Sequence, residues 1–136
     1  GGEVTRAKTP EIGWYQVFQV AETAKSTPDC LTRGAWMQWH YDRFSVPAGA
    51  TTLADSPVGP QAMVCGRALG LQFHPEASES IVRLWMTGQG SEELAAIEMT
   101  PDELMQETSS RIVDAEARCD ELVAWFLEEI AQRHMA

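Results

Sequence analysis

Gly70-Leu71-Gln72-Phe73-His74-Pro75-Glu76 marks the point where the chain changes character. Up to about Phe73 the sequence reads as short strands and turns, and beyond Pro75 it reads as helices. A strand ending at Phe73 delivers His74 to the edge of a sheet. Pro75 has no N–H to continue a ladder and turns the chain. Glu76 follows at once, at a spacing that lets its carboxylate meet the imidazole and fix the tautomer. That is the orienting role of the third member of a catalytic triad. A bare His-x-Glu is structural far more often than catalytic, so the surroundings must decide.

Working back from this stretch, Gln61–Cys65 and Ala68–Phe73 read as a hairpin joined at Gly66-Arg67. Thr51–Asp55 reads as a strand, and Ser45–Ala50, with Pro47 and Gly49, as a turn. Ala35–His40 and the aromatic, β-branched Glu11–Val20 are further strands, with a loop over Ser26–Gly34. Working forward, Ser78–Met86 is a helix broken at Gly88/Gly90. Thr100-Pro101-Asp102-Glu103 is a capping box with Pro at the first helical position. Ile112, Ala115, Cys119, Leu122, Phe126 and Ile130 recur every three or four residues and predict a long helix from near Thr108 to Arg133. Its other face, with Asp114, Arg118, Glu121 and Glu128, is expected to be solvated. His134 suits the negative end of that helix and needs no function.

The 136 residues suffice for one domain with a core, divided as a strand-rich part over 1–90 and an acidic helical segment over 91–136 packing on it. Ten basic against twenty acidic residues give a net charge of −10. Twelve of the acids fall in 91–136 beside three bases, whereas 1–90 is nearly balanced. Nucleic acid needs a cationic footprint and an anionic membrane surface attracts Lys/Arg clusters, so neither is expected as a partner. No apolar run approaches the ~20 residues of a bilayer span. Cys30, Cys65 and Cys119 are odd in number and form no CxxC, which predicts reduced thiols in a cytoplasmic protein. His40 has no companion at metal-ligand spacing, and no metal or cofactor is expected. Trp14, Trp36, Trp39 and Trp85 are expected in the core or as pocket walls, since no basic groove accompanies them.

GLQFHPE resembles the GxQFHPE signature of class I glutamine amidotransferases, in which a Cys–His–Glu triad hydrolyses the side-chain amide of glutamine. Glu11-Ile12-Gly13-Trp14 resembles the EIGW strand of the stand-alone, GMP-synthase-like members. Trp39-His40-Tyr41-Asp42-Arg43-Phe44 and Val46-Pro47-Ala48-Gly49-Ala50 resemble their WHxDxFxLPxGA segment, and Leu53–Ser56 and Gln61-Ala62 continue in register. The resemblance covers residues 1–77 almost continuously and the tail from Ser91 only loosely. It implies an α/β fold: the C-terminal part of a flavodoxin-like three-layer domain, with a mixed sheet followed by helices. It implies that His74 is the general base and Glu76 its orienting carboxylate. It also implies that the main chain of Trp39, His40, Tyr41 and Asp42 holds the α-amino and carboxylate groups of glutamine. Tyr41 stands where many members carry Gly.

The family's nucleophile lies on a Gly-x-Cys-x-Gly elbow whose backbone N–H groups form the oxyanion hole. No such motif occurs in these residues. Cys65, the nearest cysteine before His74, is expected to be a buried and inert strand thiol. Gly1-Gly2-Glu3-Val4 resembles the ALGGEV turn that follows the nucleophile's helix, and the chain starts on Gly rather than Met, so it is expected to begin partway through the domain. Three partners follow as expectations: glutamine, a nucleophile-bearing half or a synthetase, and self-association through uncovered strand edges. A non-catalytic binding or regulatory module and a γ-glutamyl hydrolase relative are the alternative readings.

Overall fold

The computed structural model describes residues 1–132. The strands are β1 (Val4–Gln16), β2 (Phe18–Gln19), β3 (Ala35–Phe44), β4 (Thr51–Ser56), β5 (Gly59–Cys65) and β6 (Ala68–Leu71). β1 pairs with β3, and β2, β4, β5 and β6 form a second sheet in that order, every named pair being antiparallel. The hairpin expected at Gly66-Arg67 is present, with Cys65 opposite Ala68. As expected from the change of character at His74, the strands come first and the larger helices follow.

β1 starts earlier than its apolar run implies. Val4–Arg6 pair with Phe44–Asp42, and the register then slips before Glu11 meets His40. The slip spans Lys8-Thr9-Pro10, where Pro10 cannot donate to a ladder. β3 likewise runs on through Trp39–Asp42 to Phe44.

The core forms where the sheets meet the helices. Ile12, Trp36, Met37, Val82, Leu94 and Leu104 are fully enclosed, and Trp36 stacks on Phe73 at 4.8 Å between centroids. Trp14 donates from Nε1 to Thr108 Oγ1 at 3.0 Å, which ties β1 to the long helix.

The loop expected over Ser26–Gly34 contains the short helix α1 (Asp29–Thr32). After Pro75 come α2 (Glu79–Trp85), capped by Ser78, and α3 (Gln89–Ala96). The break read at Gly88/Gly90 falls at Met86-Thr87-Gly88, and Gly90 already lies in the first turn of α3. Gly88 caps it at φ +57, and Gly90 lies so near the Trp85 carbonyl that a Cβ would fall 1.7 Å from the oxygen. α4 (Pro101–Trp125) begins at the capping box, ahead of the expected start near Thr108, and continues as a π-helical turn over Phe126–Ile130. Arg133 and His134 lie outside the described residues.

Ile112, Ala115 and Leu122 on α4 and Ile130 in the π-helical turn are buried as their spacing predicts. Arg118, expected in solvent, is a correction: it is 1% exposed. Its Nε donates to Asp114 Oδ2 at 2.7 Å, its Nη atoms reach the Gly34 and Ala35 carbonyls, and its guanidinium lies 4.1 Å from the Trp36 ring centroid. An aliphatic stem and a stacking head let arginine close a core when acceptors wait there. Cys65 is a second correction: it is exposed, because strand alternation turns Ala62 and Val64 inward. No helix among the described residues is long and apolar enough to cross a membrane.

Candidate active site

Main-chain pairing places His74. Its N–H donates to the Met37 carbonyl at 2.9 Å, an isolated antiparallel bridge that brings the strand end beside β3. Pro75 then turns the chain, and Glu76 folds back so that its Oε1 lies 2.7 Å from His74 Nδ1. An ionised carboxylate only accepts, so Nδ1 carries a proton, and in the neutral ring Nε2 is the nitrogen with the lone pair. The Trp85 ring packs against the imidazole at 4.6 Å between centroids, tilted by 58°. Sequence spacing brought His74 and Glu76 together, and so does the structure.

The imidazole borders a cavity of about 310 Å³ lined by Trp39, His74, Trp85, Gln89, Gly90 and Glu93. Trp39 meets Trp85 edge-on at 5.9 Å and donates from Nε1 to Glu93 Oε2 at 2.6 Å. Gln89 donates to the other Glu93 oxygen at 3.1 Å, holding that carboxylate at the rim. Burial first, then the Glu93 charge, pushes the Tyr41 hydroxyl pKa up. Trp39 is brought toward His74 as a wall of the same cavity. Because the Met37 carbonyl points to His74, the alternating strand directs the main-chain groups of Trp39 to that same side, away from β1.

His40 and Asp42 lie elsewhere. The His40 ring turns inward to Glu11, Gln38 and the Asp42 carbonyl, and the Asp42 carboxylate faces Arg6 at 3.7 Å. Arg6 also lies over the Tyr41 ring at 4.4 Å. A surface concavity of about 580 Å³ lies on the far half of the β1–β3 pair among Arg6, Lys8, Arg43 and Ser45, apart from this chemistry.

Gln89 and Gly90 escaped the sequence reading because they fall at the break read there, and Glu93 because it was counted with the acidic helical segment. No local signal distinguishes Glu93 from the other acids of the tail. Trp85 carried one, its place on the apolar face of α2.

Among the described residues no thiol hydrogen-bonds the His74 ring. Cys65 sits at the turn of the β5–β6 hairpin while His74 lies beyond the other end of β6, about 20 Å of extended chain away. Cys30 is enclosed on α1. Cys119 faces a small apolar groove with Leu71, Pro75 and Phe126, and burial followed by the charges of Asp120 and Glu76 pushes its thiol pKa up. Among the described residues no group of His, Cys, Asp and Glu side chains is arranged to hold a metal ion.

No family model matches the chain. It is 37% identical over 83 residues to a glutamine-hydrolysing GMP synthase of Helicobacter pylori, a match covering 59% of this chain and 16% of that protein. A glutamine amidotransferase structure from Thermotoga maritima superimposes with a TM-score of 0.74 at 30% identity, covering 98% of this chain and 56% of that one. A glutamine amidotransferase from Methylobacillus flagellatus shares the fold, with a TM-score of 0.74 at 24% identity over all of this chain and 59% of that one. The chain thus spans just over half the length of these structural relatives and a small part of the curated one. In sequence and fold the chain is similar to glutamine amidotransferases, the GMP-synthase kind among them.

Proposed function

We propose that the chain supplies the His–Glu arm of a Cys–His–Glu site that hydrolyses the side-chain amide of glutamine to glutamate and ammonia. The observation that carries this reading is the 2.7 Å bond from His74 Nδ1–H to Glu76, which leaves Nε2 basic at the edge of an aromatic-walled cavity. In this reading a cysteine outside these residues provides the thiol, and His74 Nε2 takes its proton. The thiolate attacks the amide carbon. The imidazolium then returns the proton to the leaving ammonia, and the ring next acts as base to the water that cleaves the γ-glutamyl thioester. Glu76 stays ionised throughout and holds the ring. In this reading the main chain of the Trp39–Asp42 segment supplies polar partners for the α-amino and carboxylate groups. The family relationship and the free thiols support a cytoplasmic setting in which a synthetase receives the ammonia.

Ammonia release from glutamine tests the reading. The chain alone is expected to turn over no glutamine, since an imidazole–carboxylate pair without a thiolate has nothing to activate. Mixing with a nucleophile-bearing segment of the same family is expected to restore turnover, and His74→Ala to remove it again. Turnover by the chain alone that Cys65→Ser abolishes would refute the proposal. Failure of every such mixture overturns it in favour of a non-catalytic module.

A further inference from the structure

The inward-turned His40 ring belongs to a set of polar side chains joining the two sheets, and both of its nitrogens face acceptors. Glu11 on β1 is 3% exposed, and its Oε2 meets Gln61 Nε2 at 2.9 Å and His40 Nε2 at 3.1 Å. Gln61 also donates to Ser56 Oγ at 3.0 Å, so its amide nitrogen is committed and its oxygen faces Gln38. Gln38 Nε2 donates to that oxygen at 2.7 Å. Only the Gln38 carbonyl oxygen remains, and it faces His40 Nε2 at 3.1 Å. The other ring nitrogen, Nδ1, lies 2.9 Å from the Asp42 carbonyl oxygen. Carbonyl oxygens only accept, and a neutral imidazole has a single N–H.

Both ring nitrogens therefore meet acceptors. Reversing Gln61 would set its oxygen against the Glu11 carboxylate, and reversing Gln38 alone would set two amide oxygens together. Moving the second proton onto Glu11 would leave the Nε2 lone pair opposed to the Gln38 oxygen. The neutral ring with its proton on Nε2 sets the Nδ1 lone pair against the Asp42 carbonyl, and each of the other arrangements opposes acceptors beside the enclosed Glu11 carboxylate, to which an imidazolium also supplies the counter-charge. The charged form leaves every member bonded, and Asp42 takes no part through its carboxylate, which is turned out to Arg6.

We propose that His40 is an imidazolium paired with the buried Glu11 carboxylate. We assign it as a positioning residue whose Nδ1–H holds the Asp42 carbonyl and sets the course of the Tyr41–Asp42 main chain. The second statement rests on the reading of that segment as the glutamine-binding edge. His40 then acts on glutamine without touching it.

Long-range proton–nitrogen NMR of the labelled 136-residue chain at pH 7.5 tests the first statement directly. Both His40 ring nitrogens are expected to carry protons, and Glu11→Gln is expected to remove the proton from Nε2. An unprotonated Nε2 in the unaltered chain would overturn the assignment, and so would a doubly protonated ring in Glu11→Gln. For the second statement, His40→Asn in the nucleophile-complemented assembly is expected to raise the glutamine KM about tenfold with kcat within about twofold. A fall in kcat at constant KM would overturn the positioning role. If the unaltered assembly releases no ammonia, the glutaminase reading fails and the NMR result still decides the charge of His40.

Discussion

Replacing Arg118 with Met keeps the length of the side chain and removes the charge from an enclosed site. The guanidinium gives one charge-assisted bond to the Ala35 carbonyl, a long one of 3.4 Å to Gly34, and a stack on Trp36 at 4.1 Å. A buried bond of the first kind contributes about 1.5–3 kcal/mol, and a desolvated stack about 1–2 kcal/mol. The Asp114 side chain is 65% exposed, so its freed carboxylate rehydrates at little cost. Met restores some apolar contact with Trp36. The balance is about 2–4 kcal/mol of lost stability for Arg118→Met, against less than about 1 kcal/mol for Asp114→Ala. Gly34→Ala approaches the same spot from the other side, where a Cβ would come 3.0 Å from the guanidinium carbon, and is expected to destabilise by less. Urea unfolding followed by tryptophan fluorescence measures all three, with the m-value checking that the unfolded state is unchanged. If Asp114→Ala costs as much as Arg118→Met, the bonds to the β3 entrance are not what holds this helix, and the reasoning fails.

Gly90→Ala is expected to destabilise by about 1–3 kcal/mol and to shift the His74 ring resonances, because the new methyl displaces the Trp85 carbonyl; unchanged resonances would refute this. Glu76→Gln in the complemented assembly is expected to lower kcat about a hundredfold or more by misdirecting the His74 tautomer, and a loss of less than about threefold would count against the triad. Thr100→Ala is expected to cost about 1 kcal/mol through loss of the helix cap. The Thr100 backbone N–H, then its hydroxyl, lower the Glu103 pKa. The Glu103 contribution is thus present above its unfolded pKa and lost as pH falls through the lowered folded one, so the stability gap to Glu103→Gln should close on acidification.

Local chemistry made some elements readable. The Gly66-Arg67 hairpin, the capping box at Thr100 and the His74–Glu76 pair each depend on residues close in sequence, and each appears where its pattern predicts. Arg118 was unreadable because its acceptors come from Gly34 and Ala35, far away in the chain, and a helical wheel scores any arginine as solvated. Cys65 was misjudged by treating a strand as uniformly buried, although alternation from Ala62 turns it outward. His40 shows both sides: its position in the WHxD segment was legible, but the ring's direction depends on Glu11, Gln38 and Gln61 from three strands. Glu93 became visible only once α3 closed over Trp39.

The Glu11–Gln61–Gln38–His40 set has a consequence for descent. Each member satisfies its neighbour, so exchanging one alone strands the next acceptor or donor in the interior. Homologous chains are therefore expected to keep the four together or to replace them in concert with apolar residues. Mixed combinations should be rare, and pairwise covariation across β1, β3 and β5 should be strongest at these positions.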